Sequence, residues 1–460
     1  MTARPWELRH GDVIEKLAAE PDCSFDAVLC DPPYGLRMLG KKWDISVPSV
    51  DLWRAVYRVM KPGAPLVAFG GTRTYHRMVV AIEDAGFQPR DMLCWLYGSA
   101  MPKSRNVSKD LDAAAGATKA RKIVGSYKAT GTAARRTASG GVASFVPSAA
   151  DGASSVDPNA RVYQTTGATP LARQWDGYGT GLKPAHEPAV LARRPLEGKI
   201  VANVTKWGVG ALAIDACRIG TGDALVRPQG QPVNCLGARS SRGRTDEPTG
   251  RWPANLLLDA EAGAMLDAAS GERPGMSGGG VHRDGYAGGM FGAIDSASTA
   301  RGDGGGASRF FYSAKVSTEE RDRGLRGLRK TSPGKIHGRA EGSAGLKNGR
   351  AGAARGRSVS NDHPTLKPVD LCRYLARLLR PPVPGRILVP FAGSGSEMIG
   401  CVLEGWPDVV GIEREESYVA IARRRLRLAE KNPRAFEPFA ERKGIPFDER
   451  QIDMFVDAED

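Results

Sequence analysis

The sequence predicts an α/β fold with a largely parallel sheet, built from the two ends of the chain around a loop-rich middle. Three observations predict it. Strand and helix signals alternate over residues 1–103, they alternate again over 363–430, and the stretch between is dominated by Gly, Ala, Ser and charged residues. Strands alternating with helices argue for a parallel sheet flanked by helices. The composition agrees: 460 residues, 41% hydrophobic and 25% charged, belong to a globular chain. The 57 Gly and 31 Pro point to long loops at particular places.

At the N-terminal end, Ala27–Cys30 is a short apolar strand that runs into Asp31, and Pro65–Phe69 is a second, following the Lys61-Pro62-Gly63 turn. Tyr75, Met78, Val79 and Ile82 recur at helical spacing before Gly86 stops the helix, and Met92–Tyr97 is a third strand. Residues 104–182 have no Glu but several Lys and Arg, and they predict a mobile, basic, low-complexity insertion. Residues 183–196 predict an edge strand of the core, centred on Ala189–Ala192. Order is expected again at Trp252–Leu266, before a Gly-rich tract at Gly275–Gly306. Arg309–Ala314 is a strand candidate, and Ser317-Thr318-Glu319-Glu320 is a capping box that should open a charged helix. Residues 321–360 hold eleven Lys or Arg against two acids, a solvated loop or an electrostatic handle for a duplex.

In the C-terminal part, residues 363–432, Val369–Leu379 has helical periodicity and Ile387–Val389 is a buried strand. Phe391–Ser396 is a Gly-rich turn, Val409–Ile412 a strand ending at Glu413, and Tyr418–Ala429 a basic helix; residues 433–460 read as a tail.

Charge and cysteine usage narrow the function. Lys and Arg outnumber Asp and Glu by 65 to 51, a net charge of +14, which favours a polyanionic partner. No apolar run approaches the roughly 18–20 residues of a membrane span, and the first ten residues lack the apolar stretch of a secretory signal. The expected partner is therefore nucleic acid rather than a membrane, and the expected compartment is cytoplasm. The seven cysteines are scattered and never spaced Cys-x-x-Cys, so neither a disulfide framework nor a metal site is expected.

Two motifs carry chemistry. Asp31-Pro32-Pro33-Tyr34 follows a strand, at the sheet edge where open α/β folds bind ligands. Asp31 and the Pro32 carbonyl can each accept one hydrogen of an exocyclic NH₂ on a planar base, and Tyr34 can stack on the ring. A Pro-Pro turn capped by Tyr34 accounts for the tetrapeptide equally well on local grounds. The second motif, Ile387–Gly395, is a strand entering a Gly393-Ser394-Gly395 turn, with Glu413 twenty residues beyond Gly393. In nucleotide-binding folds such glycines allow close backbone approach, and an acid at that distance binds ribose hydroxyls. Met398 stands where a third glycine would be, which argues against a dinucleotide pyrophosphate and fits a ribosyl cofactor such as S-adenosylmethionine. Taken alone, Gly-x-Gly is as well read as a tight turn.

Together and in this order, the motifs resemble the permuted, beta arrangement of the DNA amino-methyltransferases, as found in phage- and prophage-borne site-specific methylases. The likeness extends to Gly11-Asp12, Trp95, Lys103–Val107, Glu187–Arg193, Arg309–Lys315 and His363–Pro368. It implies a Rossmann-like, S-adenosylmethionine-dependent methyltransferase core. Residues 1–103 would be its catalytic half, 363–432 its cofactor-binding half, and 197–362 a target-recognition region with a basic linker. It makes Asp31, Pro32, Pro33 and Tyr34 the catalytic motif and places Asp12 at the cofactor adenine, where a helix N-cap is the equal local reading. Thr365 and Lys367 would meet the methionine end, Phe391, Gly393 and Gly395 the methionine and ribose, and Glu413 the ribose. The implied reaction is methylation of adenine N6 in double-stranded DNA after base flipping. Cytosine N4 is the alternative, and a non-catalytic cofactor- or DNA-binding relic a second; Asp at the first motif position favours adenine. Cytosine C5 chemistry needs a cysteine nucleophile, typically after proline, and the chain has no Pro-Cys pair. A homodimer and a cognate nuclease stay open. The sequence departs from the family pattern at Val389-Pro390-Phe391, where Asp-Pro-Phe is usual, and at Ser396-Glu397, where Thr-Thr is common.

Overall fold

The structure, a computed structural model, describes residues 4–37, 41–98, 104–128, 161–220, 250–273, 304–314, 318–325, 328, 360–363 and 365–437. In chain order the elements are β1 (Trp6–His10), α1 (Val13–Ala18), β2 (Ala27–Cys30), α2 (Val50–Val59), β3 (Pro65–Phe69), α3 (Tyr75–Asp84) and β4 (Gln88–Leu96). There follow α4 (Val107–Ala114), β5 (Lys122–Lys128), β6 (Arg161–Thr166), α5 (Pro170–Gln174), β7 (His186–Arg193) and α6 (Ile200–Trp207). Then come β8 (Leu256–Asp259), α7 (Ala260–Ser270), β9 (Tyr312–Ala314), α8 (Val369–Leu379), β10 (Arg386–Val389), α9 (Ser396–Leu403), β11 (Asp408–Glu413) and α10 (Glu416–Lys431).

Nine strands form one sheet in the order β1-β11-β10-β2-β3-β7-β4-β8-β9. The pairs from β1 through β3 are parallel, β7 runs antiparallel to β3 and β4, and β4, β8 and β9 are parallel to one another. The two ends of the chain interleave: β10 and β11 sit between β1 and β2. Chain order diverges at the β10–β2 pair, running through β11 on one side and β3 on the other. A crevice therefore opens there at the carboxyl ends of the strands.

The core explains why both ends are needed. Val28, Cys30, Leu66, Ala68, Leu388 and Val410 face one way and pack under Leu17, Trp53, Val56 and Ile82 from α1–α3. Ala27, Leu29, Val67, Phe69, Ile387 and Val389 face the other way, under Leu371, Leu375, Ile399, Ala422 and Leu426 from α8–α10. Each fully buried large apolar side chain contributes about 1.5–3 kcal/mol. Glycine brings the C-terminal layer close: a Cβ on Gly411 would lie 2.1 Å from Met398 Sδ. The two helical layers thus come from opposite ends of the sequence. This is the Rossmann-like α/β fold that the sequence predicts, with neighbouring central strands carrying the two motifs.

Several expectations are corrected. The strand in 183–196 is not at an edge: β7 lies inside the sheet, and Val190 and Ala192 pack on one face while Ala189 and Leu191 pack on the other. The insertion 104–182 carries structure where it is described: α4, α5 and the antiparallel β5–β6 pair. A polar centre stands in for an apolar one there. Asp112 is buried, accepts from the Ala168 and Thr169 N–H groups at 2.9 and 3.0 Å, and pairs with Arg121 at 2.5 Å. The capping-box segment yields only a 3-10 turn, Thr318–Asp322. The box carboxylate, Glu320, instead turns inward and accepts from the Val369 N–H at 2.9 Å, capping α8. Arg309 and Phe310 likewise form a 3-10 turn, and the strand begins only at Tyr312. Ser317, almost all of the Gly-rich tract, most of 321–360 and the tail beyond residue 437 lie outside the described residues.

Candidate active site

β2 delivers Asp31 to the crevice, and the loop after it is clamped from both sides. Asp44, buried in the turn before α2, accepts with Oδ1 from the N–H groups of Tyr34 and Gly35, both at 2.8 Å. Thr74 Oγ1 donates to the Tyr34 carbonyl at 2.6 Å. Asp31 then meets two further groups. Its Oδ1 accepts from the Tyr34 hydroxyl at 2.7 Å and its Oδ2 from Lys367 Nζ at 2.6 Å. Glu187, from β7, lies 3.2 Å from the same hydroxyl and 3.1 Å from the same ammonium. Lys367 is 3% exposed, and its ammonium also lies 4.8 Å from the Phe69 ring centre. Burial works against its charge, but the Asp31 and Glu187 carboxylates outweigh that and raise its pKa above the ordinary lysine value. Burial and the same two carboxylates push the Tyr34 phenol well up, so it stays protonated and donates.

The second motif forms the opposite wall. Gly393 and Gly395 sit at φ of 51° and 86°, in the left-handed region that glycine enters without strain. A Cβ on Gly393 would lie 3.0 Å from His363 Nε2. Glu413, at the end of β11, ties this turn down: Oε2 accepts from the Gly393 N–H at 2.7 Å and Oε1 from the Glu415 N–H at 2.8 Å. Burial raises the Glu413 pKa while those backbone bonds oppose it. Behind the turn, Arg425 of α10 is fully buried and donates to the Ser394 carbonyl at 2.6 Å and to the Ser394 and Ser396 hydroxyls at 3.1 and 3.3 Å.

One cavity of about 340 Å³ joins the two walls. Asp12, Asp31, Pro32, Pro33, Tyr34, Thr365, Lys367, Phe391, Gly393 and Glu413 all line it; Gly395 is absent from its lining and packs against Ala422. Asp12 is also the N-cap of α1, accepting from the Ile14 N–H at 2.9 Å. The Lys367 ammonium reaches across the cavity to the Asp31 carboxylate. Trp43, His363 and Tyr418 make an aromatic wall, with His363 stacked 6.0 Å from Trp43 and edge-on 4.6 Å from Tyr418. Burial lowers the His363 pKa to about 4, so that ring is neutral at physiological pH.

Sequence reasoning missed Asp44, Glu187 as an electrostatic partner, Arg425, and Glu397, which is 4% exposed and also lines the cavity. Glu187 lay within a recognised segment without a role, and Glu397 was visible only as a departure from the family pattern. Asp44 and Arg425 act through contacts across the fold and leave no local signal.

The residues fit a ribosyl cofactor without a pyrophosphate. The Glu413 carboxylate stands at one end of the cavity, glycine backbone at its side and the Asp31 carboxylate at the other end. The buried Glu397 carboxylate in the first turn of α9 opposes a phosphate at that helix start. Fold and site together define a Rossmann-like α/β architecture with one crevice at its switch point. Known proteins resemble it in parts: M.HindIII, a type II methyltransferase of Haemophilus influenzae, is 38% identical over 52 residues, 11% of this chain and 17% of that protein. The match thus spans less than a fifth of the curated relative's length. No family model matches. Among solved structures, the PvuII DNA methyltransferase (cytosine-N4-specific) is 12% identical with a TM-score of 0.38, over 95% of this chain and 94% of that one. The M1.HpyAVI–SAM complex is 12% identical with a TM-score of 0.33, over 92% and 98%.

Proposed function

We propose that this chain methylates an exocyclic amino group of a DNA base, adenine N6, using S-adenosylmethionine as donor. The observation that carries the reading is the juxtaposition at the β10–β2 switch point. An acid with an aromatic neighbour and a glycine turn with a ribose-type carboxylate open into one cavity.

The roles follow from the residues. Asp31 and the Pro32 carbonyl accept the two amine hydrogens, which turns the nitrogen lone pair toward the donor. Pro33 keeps an N–H out of the loop, leaving carbonyls to face the amine. Tyr34 lies beside the base and holds Asp31 in place through its hydroxyl. Glu413 would take the ribose hydroxyls and Asp12 the adenine of the cofactor; Phe391 and Gly393 would flank its ribose and methionine, with Gly395 shaping the turn from outside the cavity lining. Thr365 and Lys367 face the methionine end. The bound cofactor supplies an electrophilic methyl group, so the protein positions and polarises the amine rather than creating a strong nucleophile. A base within a duplex cannot reach this crevice, so the target is flipped out of the stack. Asp31 at the head of its motif supports adenine over cytosine N4, and the net charge of +14 supports a double-stranded DNA partner.

The test is methyl transfer from labelled S-adenosylmethionine to duplex DNA, single-stranded DNA, RNA and protein side by side, with the modified nucleoside identified by mass. N6-methyladenine in duplex DNA is expected. N4-methylcytosine would correct the base, and label in RNA or protein alone would overturn the reading.

A further inference from the structure

Glu397 has no part in the assignments above, yet its carboxylate is buried in the wall of the cavity. It occupies the first turn of α9, between the glycine turn and the Asp31 cluster. Such a carboxylate is costly to bury without a cation. Lys367 and Arg425 act on Glu397 through their charge, and neither forms an ion pair with it among the described residues. Lys367 is shared by Asp31 and Glu187, and Arg425 is bonded to Ser394 and Ser396 while its charge also faces Glu320. The other titratable groups that act on Glu397 or feel it are the Asp31 carboxylate, which repels it, and the buried thiols of Cys30, Cys372 and Cys401, which carry no positive charge. The cavity wall thus holds more acid than base at one place.

That place is fixed by the reaction. Direct transfer needs donor and acceptor atoms about 3–3.5 Å apart and aligned. The donor sulfur must then lie toward Asp31 from the ribose at Glu413, along the stretch of wall that Glu397 occupies. Resting on the cofactor assignment above, we infer that Glu397 is the counter-charge for the cofactor's sulfonium and makes the site prefer the positively charged donor over its neutral thioether product.

The electrostatics of the free site agree. Burial, then the neighbouring Asp31 carboxylate, raise the Glu397 pKa to about 7, against the opposing pull of Lys367 and Arg425. Glu397 is therefore largely protonated below neutrality and must lose that proton to pair with a cation. Donor affinity should rise with pH as the ionised fraction grows, and a ligand without the sulfonium should not follow it.

The experiment is calorimetric titration of wild-type protein and Glu397→Gln with S-adenosylmethionine and, separately, S-adenosylhomocysteine, from pH 5.5 to 7.5. In the wild type, S-adenosylmethionine affinity should rise about tenfold or more across that range, while S-adenosylhomocysteine affinity stays within about threefold. Glu397→Gln should flatten the rise and bring the two ligands to within about threefold of each other at pH 7.5. Parallel pH curves for the two ligands in the wild type would overturn the inference without any variant. So would a folded Glu397→Gln protein that keeps the donor preference. Failure of both ligands to bind at any pH would overturn the cofactor assignment itself, a result distinct from binding without preference.

Discussion

The two ends of the cavity are built from different materials. At the Asp31 end, the Tyr34 hydroxyl and the Lys367 ammonium lie within 3.2 Å of each other and of the Asp31 and Glu187 carboxylates, a cluster built from side chains alone. At the cofactor end, recognition is mostly backbone: two left-handed glycines and a carboxylate already bonded to two N–H groups. A side-chain cluster can change its hydrogen bonding and charge during a reaction, whereas a backbone turn braced by Arg425 and Glu413 can only hold a shape. On the function proposed above, one wall would polarise and the other would bind, and substitutions should separate the two.

The largest effect is expected from Asp31→Ala. It should cut methyl transfer by about 10³-fold or more, the scale for losing a group that acts on the reacting centre, and leave the Kd for cofactor within about threefold. Near-normal turnover would erase the distinction between the walls. Glu413→Ala should do the reverse, weakening cofactor binding by about 1–3 kcal/mol as a charged hydrogen-bond partner is lost. Part of that loss comes from freeing the Gly393 N–H, so calorimetry of Glu413→Gln, which keeps an acceptor, should show a smaller deficit. Asp44→Ala tests the loop clamp. With the Tyr34 and Gly35 N–H groups left without their acceptor, kcat should fall about tenfold while cofactor affinity holds. An equal fall in both would mean that Asp44 supports the whole cavity.

The smallest effect concerns the basic middle. Arg321 donates to the Asn361 and His363 carbonyls and Arg323 binds the Ala435 carbonyl, so both are structural. The remaining residues, 324–360, still carry nine Lys or Arg against one acid. Replacing four of those arginines with glutamine should flatten the slope of log affinity for duplex DNA against log salt, by up to about 0.9 per lost phosphate contact. The methylated sequence should not change, because phosphate contacts position a protein while base contacts specify. An unchanged slope would return this segment to the role of a solvated loop.

The contrast between the walls also explains what could be read in the sequence. Asp31-Pro32-Pro33-Tyr34 and Gly393-Ser394-Gly395 are contiguous, and the strands that carry them are short apolar runs between turn residues, so local pattern suffices. The supports are not contiguous. Glu187 reaches Tyr34 across 153 residues and Arg425 reaches Ser394 across 31, and no periodicity encodes either meeting. The interior position of β7 was hidden for a related reason. A five-residue apolar run looks the same at an edge as in the middle, and only its pairing with β3 and β4 decides. The helix expected after Ser317 failed because Glu320 was recruited to a helix far along the chain, a tertiary demand that overrides local capping.

The interleaving of β10 and β11 between β1 and β2 has a consequence for how the molecule is made. When β2 leaves the ribosome, one of its long edges has no neighbour, and the strand that will cover it begins at Arg386. At about 5–20 residues per second, that edge waits on the order of tens of seconds. Pairings between such distant segments raise contact order and slow closure of the sheet. Until then β2 presents an unpaired strand edge, the feature that makes a partly made sheet prone to aggregation. A variant tethering residues 386–431 ahead of residue 4 would shorten the wait and should refold faster.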